Sequence, residues 1–251
     1  MNAVIDTAKG VVPKAAVELA ARVRLLELQD KAQGCDAAGI LALGLEEFGR
    51  RIAMVSSFGA ESAVLLHLVA QSDPTTPVLF LNTAKLFGET LRYRDRLQDM
   101  LGLTDLRNIG PHPADRERLD SEGTLWSRDT EACCGFRKVV PLRRALEGFD
   151  AQITGRKTFQ THARHNMQTV EYFEGRFRFN PLADWSQADI EAYLARYDLP
   201  RHPLVEDGYP SIGCIPCTRR VAAGESYRDG RWAGLDKDEC GIHTGVHGDG
   251  I

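Results

Sequence analysis

Four short segments that read as strands constrain this chain more than any other feature: the apolar Arg51-Ile52-Ala53-Met54-Val55-Ser56, then Val78–Leu81, Asp105–Ile109 and Ala151–Thr154. Between and after them lie stretches with helical periodicity at 61–69, 89–100, 114–119 and 128–146. Apolar segments of strand length with helix-length connections predict an α/β fold, a mostly parallel sheet with helices on both faces. Two helices are expected before the first strand: an amphipathic one over 13–31, with Pro13 near its start, and a second over 36–48. After Gly155 the pattern changes. Residues 169–179 read as a hairpin turning near Glu174-Gly175. Ser186, with Asp189 three residues on, predicts a capping box for a helix over 187–196. From Pro200 onward the chain is irregular, and its last 28 residues carry seven glycines.

At 251 residues the chain has room for one large domain or a domain with an appendage. That length buries roughly 70–75% of the unfolded surface, so the core needs no disulfides. The longest apolar runs, 63–70 and 77–81, fall far short of the ~20 residues that cross a bilayer. Met1-Asn2-Ala3-Val4-Ile5-Asp6 has no charged or apolar region of a signal peptide. A cytoplasmic chain without membrane contact is the expectation. A formal net charge of −4 argues against a general nucleic-acid binder.

Ser56-Ser57-Phe58-Gly59-Ala60-Glu61-Ser62 joins the first strand to a helix. Small residues let backbone N–H groups approach an anion, and a helix N-terminus adds partial positive charge. A tight turn capped by Ser explains the same residues. No Lys follows, so this is not a nucleoside-triphosphate P-loop. The second strand ends in Asn82-Thr83-Ala84-Lys85, beside that loop at the carboxyl edge where open α/β sheets bind ligands.

The cysteines are the sharpest chemical signal. Cys133-Cys134 and Cys214-x-x-Cys217 supply four soft thiolates in two clusters. Adjacent cysteines diverge along the backbone and do not easily close on one small ion. They suit neighbouring irons of a larger cubane, so the pattern tilts towards a 4Fe-4S cluster. Buried core cysteines plus an incidental C-x-x-C is the competing reading. Cys35, between two helices, reads as structural. Cys240 stands alone on the glycine-rich tail, with His243 after it and Arg228 and Arg231 upstream. Cationic neighbours are what a thiolate nucleophile needs, although an isolated tail cysteine can equally be incidental.

The loop 56–62, the run Cys133-Cys134-x-x-Arg137-Lys138, Cys214-x-x-Cys217-Thr218-Arg219 and the terminal Lys237-x-Glu239-Cys240-Gly241-Ile242-His243 occur in a telling order. Together with Trp185-Ser186-x-x-Asp189-Ile190 and Pro200-x-x-Pro203-Leu204, they resemble the assimilatory adenylyl-sulfate (APS) reductases of iron–sulfur type, relatives of the phosphoadenylyl-sulfate (PAPS) reductases. The resemblance spans roughly residues 50–243. It implies an adenine-nucleotide α-hydrolase-like fold and thioredoxin-dependent reduction of APS to sulfite and AMP in sulfate assimilation and cysteine biosynthesis. It makes Cys240 the nucleophile, carrying an S-sulfocysteine intermediate, and Cys133, Cys134, Cys214 and Cys217 the holders of a 4Fe-4S cluster. Cationic substrate contacts fall on Lys138, Arg228, Arg231 and His243. Ser56, Ser57, Phe58, Gly59, Ser62, Asn82, Thr83, Gly155 and Arg164 complete the expected substrate site, with Arg137 and Arg156 as weaker candidates. His162 and His165 read as surface residues. The chain then divides into an N-terminal helical segment packed on the core (1–49), a nucleotide-binding α/β domain with the iron–sulfur site (50–224) and a mobile tail (225–251).

Two departures stand out. The family's Leu-Asp-Thr-Gly strand end reads Leu81-Asn82-Thr83-Ala84, and Ser62 stands where relatives carry an acidic residue. The four cysteines favour APS over PAPS. A PAPS or dual-substrate reductase, an ATP-pyrophosphatase-type ligase and a four-cysteine metal-binding interaction module are the alternatives. Homo-oligomerisation is left open.

Overall fold

The computed structural model describes residues 13–232, 234, 237, 239 and 241–244, with only the backbone described at Ala163, His243 and Thr244. The chain opens with α1 (Lys14–Ala32) and α2 (Ala37–Phe48), the latter capped by Asp36 Oδ1, which accepts from Gly39 N at 2.8 Å. Cys35 sits exposed at their junction, its thiol donating to the Lys31 carbonyl at 3.4 Å. Next come β1 (Ile52–Ser56), α3 (Ser62–Ser72), β2 (Val78–Leu81), α4 (Gly88–Leu101), β3 (Leu106–Ile109) and α5 (Pro113–Asp120).

The helix expected over 128–146 is not continuous. It forms as α6 (Leu125–Arg128), α7 (Thr130–Cys134), a π-helical turn (Gly135–Val139) and α8 (Val140–Ala145). Asp129 is extended and uses its side chain to cap α7, accepting from Ala132 N at 2.8 Å, so the helix restarts there. The π turn widens the coil directly after Cys133-Cys134, a distortion common at functional sites. Then follow β4 (Ala151–Thr154), the hairpin β5 (Val170–Phe173) and β6 (Arg176–Phe179), and α9 (Gln187–Arg196). Glu174 and Gly175 both take positive φ, the demand of a two-residue hairpin turn. Ser186 and Asp189 form the expected capping box. A last short helix, α10, spans Gly241–Thr244.

The six strands line up as β3-β2-β1-β4-β6-β5, all parallel except β5, which runs antiparallel to β6. Alternate residues sort to opposite faces. Ile52, Met54, Val78, Phe80 and Ile153 pack under α2, α3, α4 and α9 in the main core, whereas Ala53, Leu79 and Leu81 meet Leu142 and Leu146 beside α8 on the other face. Because both faces are covered, β2 is buried along its whole length and reads as an unbroken apolar run. The amphipathic α1 only half fulfils its pattern. Leu28 and Ala32 are buried, but Val17, Leu19, Val23 and Leu26 remain exposed. No described helix is long and apolar enough to cross a membrane.

Strand order reverses between β1 and β4: β2 and β3 lie to one side, β4, β6 and β5 to the other. Such a switch point opens a crevice at the carboxyl ends of the strands.

Candidate active site

A cavity of about 220 Å³ fills that crevice. One wall comes from the ends of β1 and β4 and the loops after them: Ser56, Ser57, Gly59, Glu61 and Ser62, then Thr154 to Lys157. The opposite wall comes from Lys138 on the π turn, Ser211 to Cys214, and Tyr227, Arg228, Arg231 and Trp232. Glu239 and Ile242 close it. Lys138, Arg156, Lys157, Arg164, Arg228 and Arg231 face it against two carboxylates, Glu61 and Glu239. An excess of cations in a partly desolvated cleft selects an anionic ligand.

The loop after β1 turns on Phe58, which takes φ 50 while its N–H donates to Ser56 Oγ at 3.2 Å. The Phe58 ring points into the core, edge-on to Phe80 at 5.2 Å, and does not line the cavity. Glu61 occupies the N-cap of α3 but its side chain makes no capping bond. The carboxylate turns into the site instead. Its Oε2 accepts from Lys157 Nζ at 2.5 Å and Gln160 Nε2 at 3.1 Å, and its Oε1 from Tyr227 OH at 2.8 Å. Burial lowers the pKa of Lys157, and burial followed by the Glu61 charge raises that of Tyr227.

At the end of β2 the two expected contacts separate. Asn82 Oδ1 accepts from Ala84 N at 3.1 Å and holds Ala84 at φ 58, off the cavity. Thr83 lines the cavity, with Oγ1 3.1 Å from Cys214 Sγ. Arg137 also lies outside the lining. Its guanidinium donates to Asp120 Oδ2 at 2.6 Å and to the Thr83 carbonyl at 2.8 Å, bracing the π turn against the strand end. Gly155 lines the cavity as expected, whereas His162 and His165 lie at the surface.

The two cysteine clusters converge. Cys133 and Cys134 end α7, and Cys214 and Cys217 bracket a short 3-10 turn docked on the loop after β2 through Ile215 N, which donates to the Lys85 carbonyl at 2.8 Å. Cys133, Cys134 and Cys214 are buried and Cys217 is half-buried. Burial pushes the Cys133 thiol up, Arg137 opposes this, and Cys214 and Cys217 push it further. Burial and Cys214 likewise raise Cys217, against Lys138, Arg231 and Lys237. Among the described residues, no group of three or more Cys, His, Asp or Glu side chains is drawn together to hold a single metal ion.

Arg231 passes close over Gly213, where a Cβ would overlap its guanidinium; only the missing side chain leaves this path open. The segment is stitched to the thiol loop by Arg219 N to the Gly230 carbonyl at 2.8 Å and Trp232 N to the Cys217 carbonyl at 3.2 Å. Arg228 has its pKa lowered by burial and then by Arg164 and Arg231, the mark of crowded positive charge. Cys240 lies outside the described residues, and so does the side chain of His243. Lys157, Gln160, Tyr227 and Trp232 line the cavity with no signal in the sequence, and Glu61 and Glu239, which belong to the 56–62 loop and the terminal motif but had no site role expected of them, join them.

Residues 51–220 match the phosphoadenosine phosphosulfate reductase domain family. The chain is 47% identical, over 90% of its length and 93% of the relative's, to a protein from Chelativorans sp. (strain BNC1) named adenosine 5'-phosphosulfate reductase. It is 50% identical, over 79% of its length and 78% of the relative's, to one of the same name from Mesorhizobium japonicum. Its fold is that of the phosphoadenylyl-sulfate reductase of Candida auris, solved as a phosphate complex: TM-score 0.67 at 20% identity, covering 83% of this chain and 98% of that one. The chain belongs to the phosphoadenosine phosphosulfate reductase domain family.

Proposed function

We propose that this chain reduces adenylyl sulfate to sulfite and AMP, using Cys240 as nucleophile and thioredoxin as reductant. The observation that carries the reading is that Glu239 and Ile242, which bracket Cys240 in the sequence, line the same cation-rich cavity as Ser57, Lys138, Arg228 and Arg231. The names of the relatives, adenosine 5'-phosphosulfate reductase, support the substrate.

The Cys240 thiolate attacks the sulfur of the phosphosulfate. An S–S bond forms, the sulfur–oxygen bond to the phosphate breaks, and its electron pair leaves on AMP. The enzyme holds S-sulfocysteine. A thioredoxin thiolate then attacks the Cys240 sulfur and sulfite departs with the S–S bond pair. The second thioredoxin thiol closes that protein's disulfide and frees Cys240. The two electrons that reduce the sulfur come from the thioredoxin dithiol.

The chain's own groups do three things in this scheme. Ser56, Ser57, Gly59 and Ser62 cradle the nucleotide at the α3 N-terminus, where backbone dipoles favour an anion. Lys138, Arg228 and Arg231 stabilise the charge that grows on the leaving phosphate, the arginines through their fork of donors and the lysine as a point charge. Burial around Trp232 and Leu142 limits water, which strengthens each of these interactions.

The donor chemistry of Cys133, Cys134, Cys214 and Cys217 fits a 4Fe-4S cluster: four convergent thiols, three of them buried, flanked by Arg137 and Lys138. Two side chains on adjacent residues suit separate irons better than one ion. When bound, the cluster would cross-link the end of α7 to the 214–217 loop and set the field around Lys138, without relaying electrons.

The test is sulfite release by anaerobically purified protein with reduced thioredoxin, comparing APS with PAPS. A strong preference for APS is expected. Preference for PAPS would overturn the substrate, and inactivity with both would leave a metal-binding module as the better reading.

A further inference from the structure

The two carboxylates in the cavity wall are held differently. Glu61 is locked to three groups on two loops, whereas Glu239 comes from the C-terminal segment itself. Glu239 is only 6% exposed. Its Oε2 accepts from Arg164 Nη2 at 2.8 Å, and its Oε1 lies 2.5 Å from Arg164 Nε and accepts from Thr161 Oγ1 at 2.7 Å. Burial pushes this carboxyl up, but the Arg164 bonds and charge, with Thr161 and Arg228, outweigh it and keep the group ionised. The other arm of Arg164 donates to Gln160. Both terminal nitrogens of Arg164 therefore donate inside the protein, although Arg164 faces the cavity.

A buried carboxylate in a cleft built for an anion opposes that anion unless a cation cancels it. Arg164 cancels it, and the paired geometry fixes direction as well as charge. Lys237, three residues before Cys240, pairs with Glu131 on α7. The segment is thus tied on the amino side of Cys240 at two points, one on each wall.

We propose that Glu239 is a positioning residue: its carboxylate, clasped by Arg164 and Thr161, seats the segment that carries Cys240 against the cavity. Arg164 then acts as the anchor of this segment. The inference rests on the reading of Cys240 as the nucleophile.

The experiment compares wild type with Glu239→Gln, Thr161→Val, Arg164→Gln and the Arg164→Gln/Glu239→Gln double variant. Three quantities are followed: kcat and KM for APS, the Kd of AMP, and the alkylation rate of the Cys240 peptide by iodoacetamide without nucleotide. Misplacing a nucleophile by an ångström is costly, so Glu239→Gln should lower kcat about tenfold to hundredfold. AMP affinity should stay unchanged or tighten, because a cation is released from its internal partner. Cys240 should alkylate faster. Thr161→Val should shift kcat and alkylation the same way by less, and it serves where Glu239→Gln folds poorly. The double variant should be little worse in kcat than Glu239→Gln, since residues acting as one unit are not additive. A parallel loss of kcat and AMP affinity, wild-type alkylation rates, or additive effects would each overturn the clasp. The alkylation arm needs no turnover, so it reads the clasp even where sulfite production by the wild type fails.

Discussion

The wall built from the ends of β1 and β4 and the wall built from residues 133–139 and 211–232 meet across one cavity but are held by different physics. The first rests on a sheet buried on both faces, and its charges are closed into tight internal pairs, Lys157 with Glu61 and Arg156 with Glu171. The second contributes no strand to the sheet. It is assembled from braces between distant segments: Arg137 to Asp120 and Thr83, Ile215 to Lys85, and Arg219 to Gly230. The sheet-edge wall should therefore fail as stability when damaged, and the braced wall should fail as function.

The largest expected effect sharpens the first half of that contrast. Removing one partner of a buried ion pair strands the other, so Glu61→Ala should cost about 3–5 kcal/mol of unfolding free energy in urea titration. It also removes the acceptor of Tyr227 OH. A loss under about 1 kcal/mol would show that water reaches Lys157 and that the wall is softer than its burial indicates.

Gly213→Ala probes the other wall. The added Cβ would displace the Arg231 guanidinium, forfeiting a charge-assisted contact worth about 1.5–3 kcal/mol and raising KM for APS at least about tenfold, with little change in Tm. Equal damage to Tm and KM would erase the distinction between the walls.

The smallest effect is a pH dependence in the segment between α9 and the braced wall. His202 is buried against α4, with Nε2 2.9 Å from Thr90 Oγ1 and Nδ1 accepting from Leu204 N at 3.2 Å. Burial pushes its pKa down to about 4. A histidine near 6.5 when unfolded binds its proton first in the unfolded chain, so its stabilising contribution is full above that pH. That contribution falls as pH drops from about 6.5 towards 4. His202→Asn should flatten this slope in thermal melts, and an unchanged slope would assign it to other groups.

The same contrast explains what the sequence made legible. β2 was bounded to the residue because a strand buried on both faces is a bare apolar run. The hairpin turn and the Ser186 capping box were legible because their signals are local. The π turn was not, since one extra residue per turn leaves helical periodicity nearly intact over 128–146. Glu61, Lys157, Tyr227 and Glu239 were missed for a different reason. Their partners lie 96, 166 and 75 residues away along the chain, and no local pattern marks a polar residue for such a pairing. Phe58 and Asn82 err the other way. Both sit in the right loops, but one ring faces the core and one amide serves its own turn.

The most direct measurement mixes anaerobically purified protein with a stoichiometric amount of APS in the absence of thioredoxin, then maps sulfonate by mass spectrometry while counting AMP. The account predicts one sulfonate on the Cys240 peptide for each AMP released, and neither product with Cys240→Ser. AMP released without a sulfonate on Cys240, or a sulfonate on any other cysteine, would contradict it.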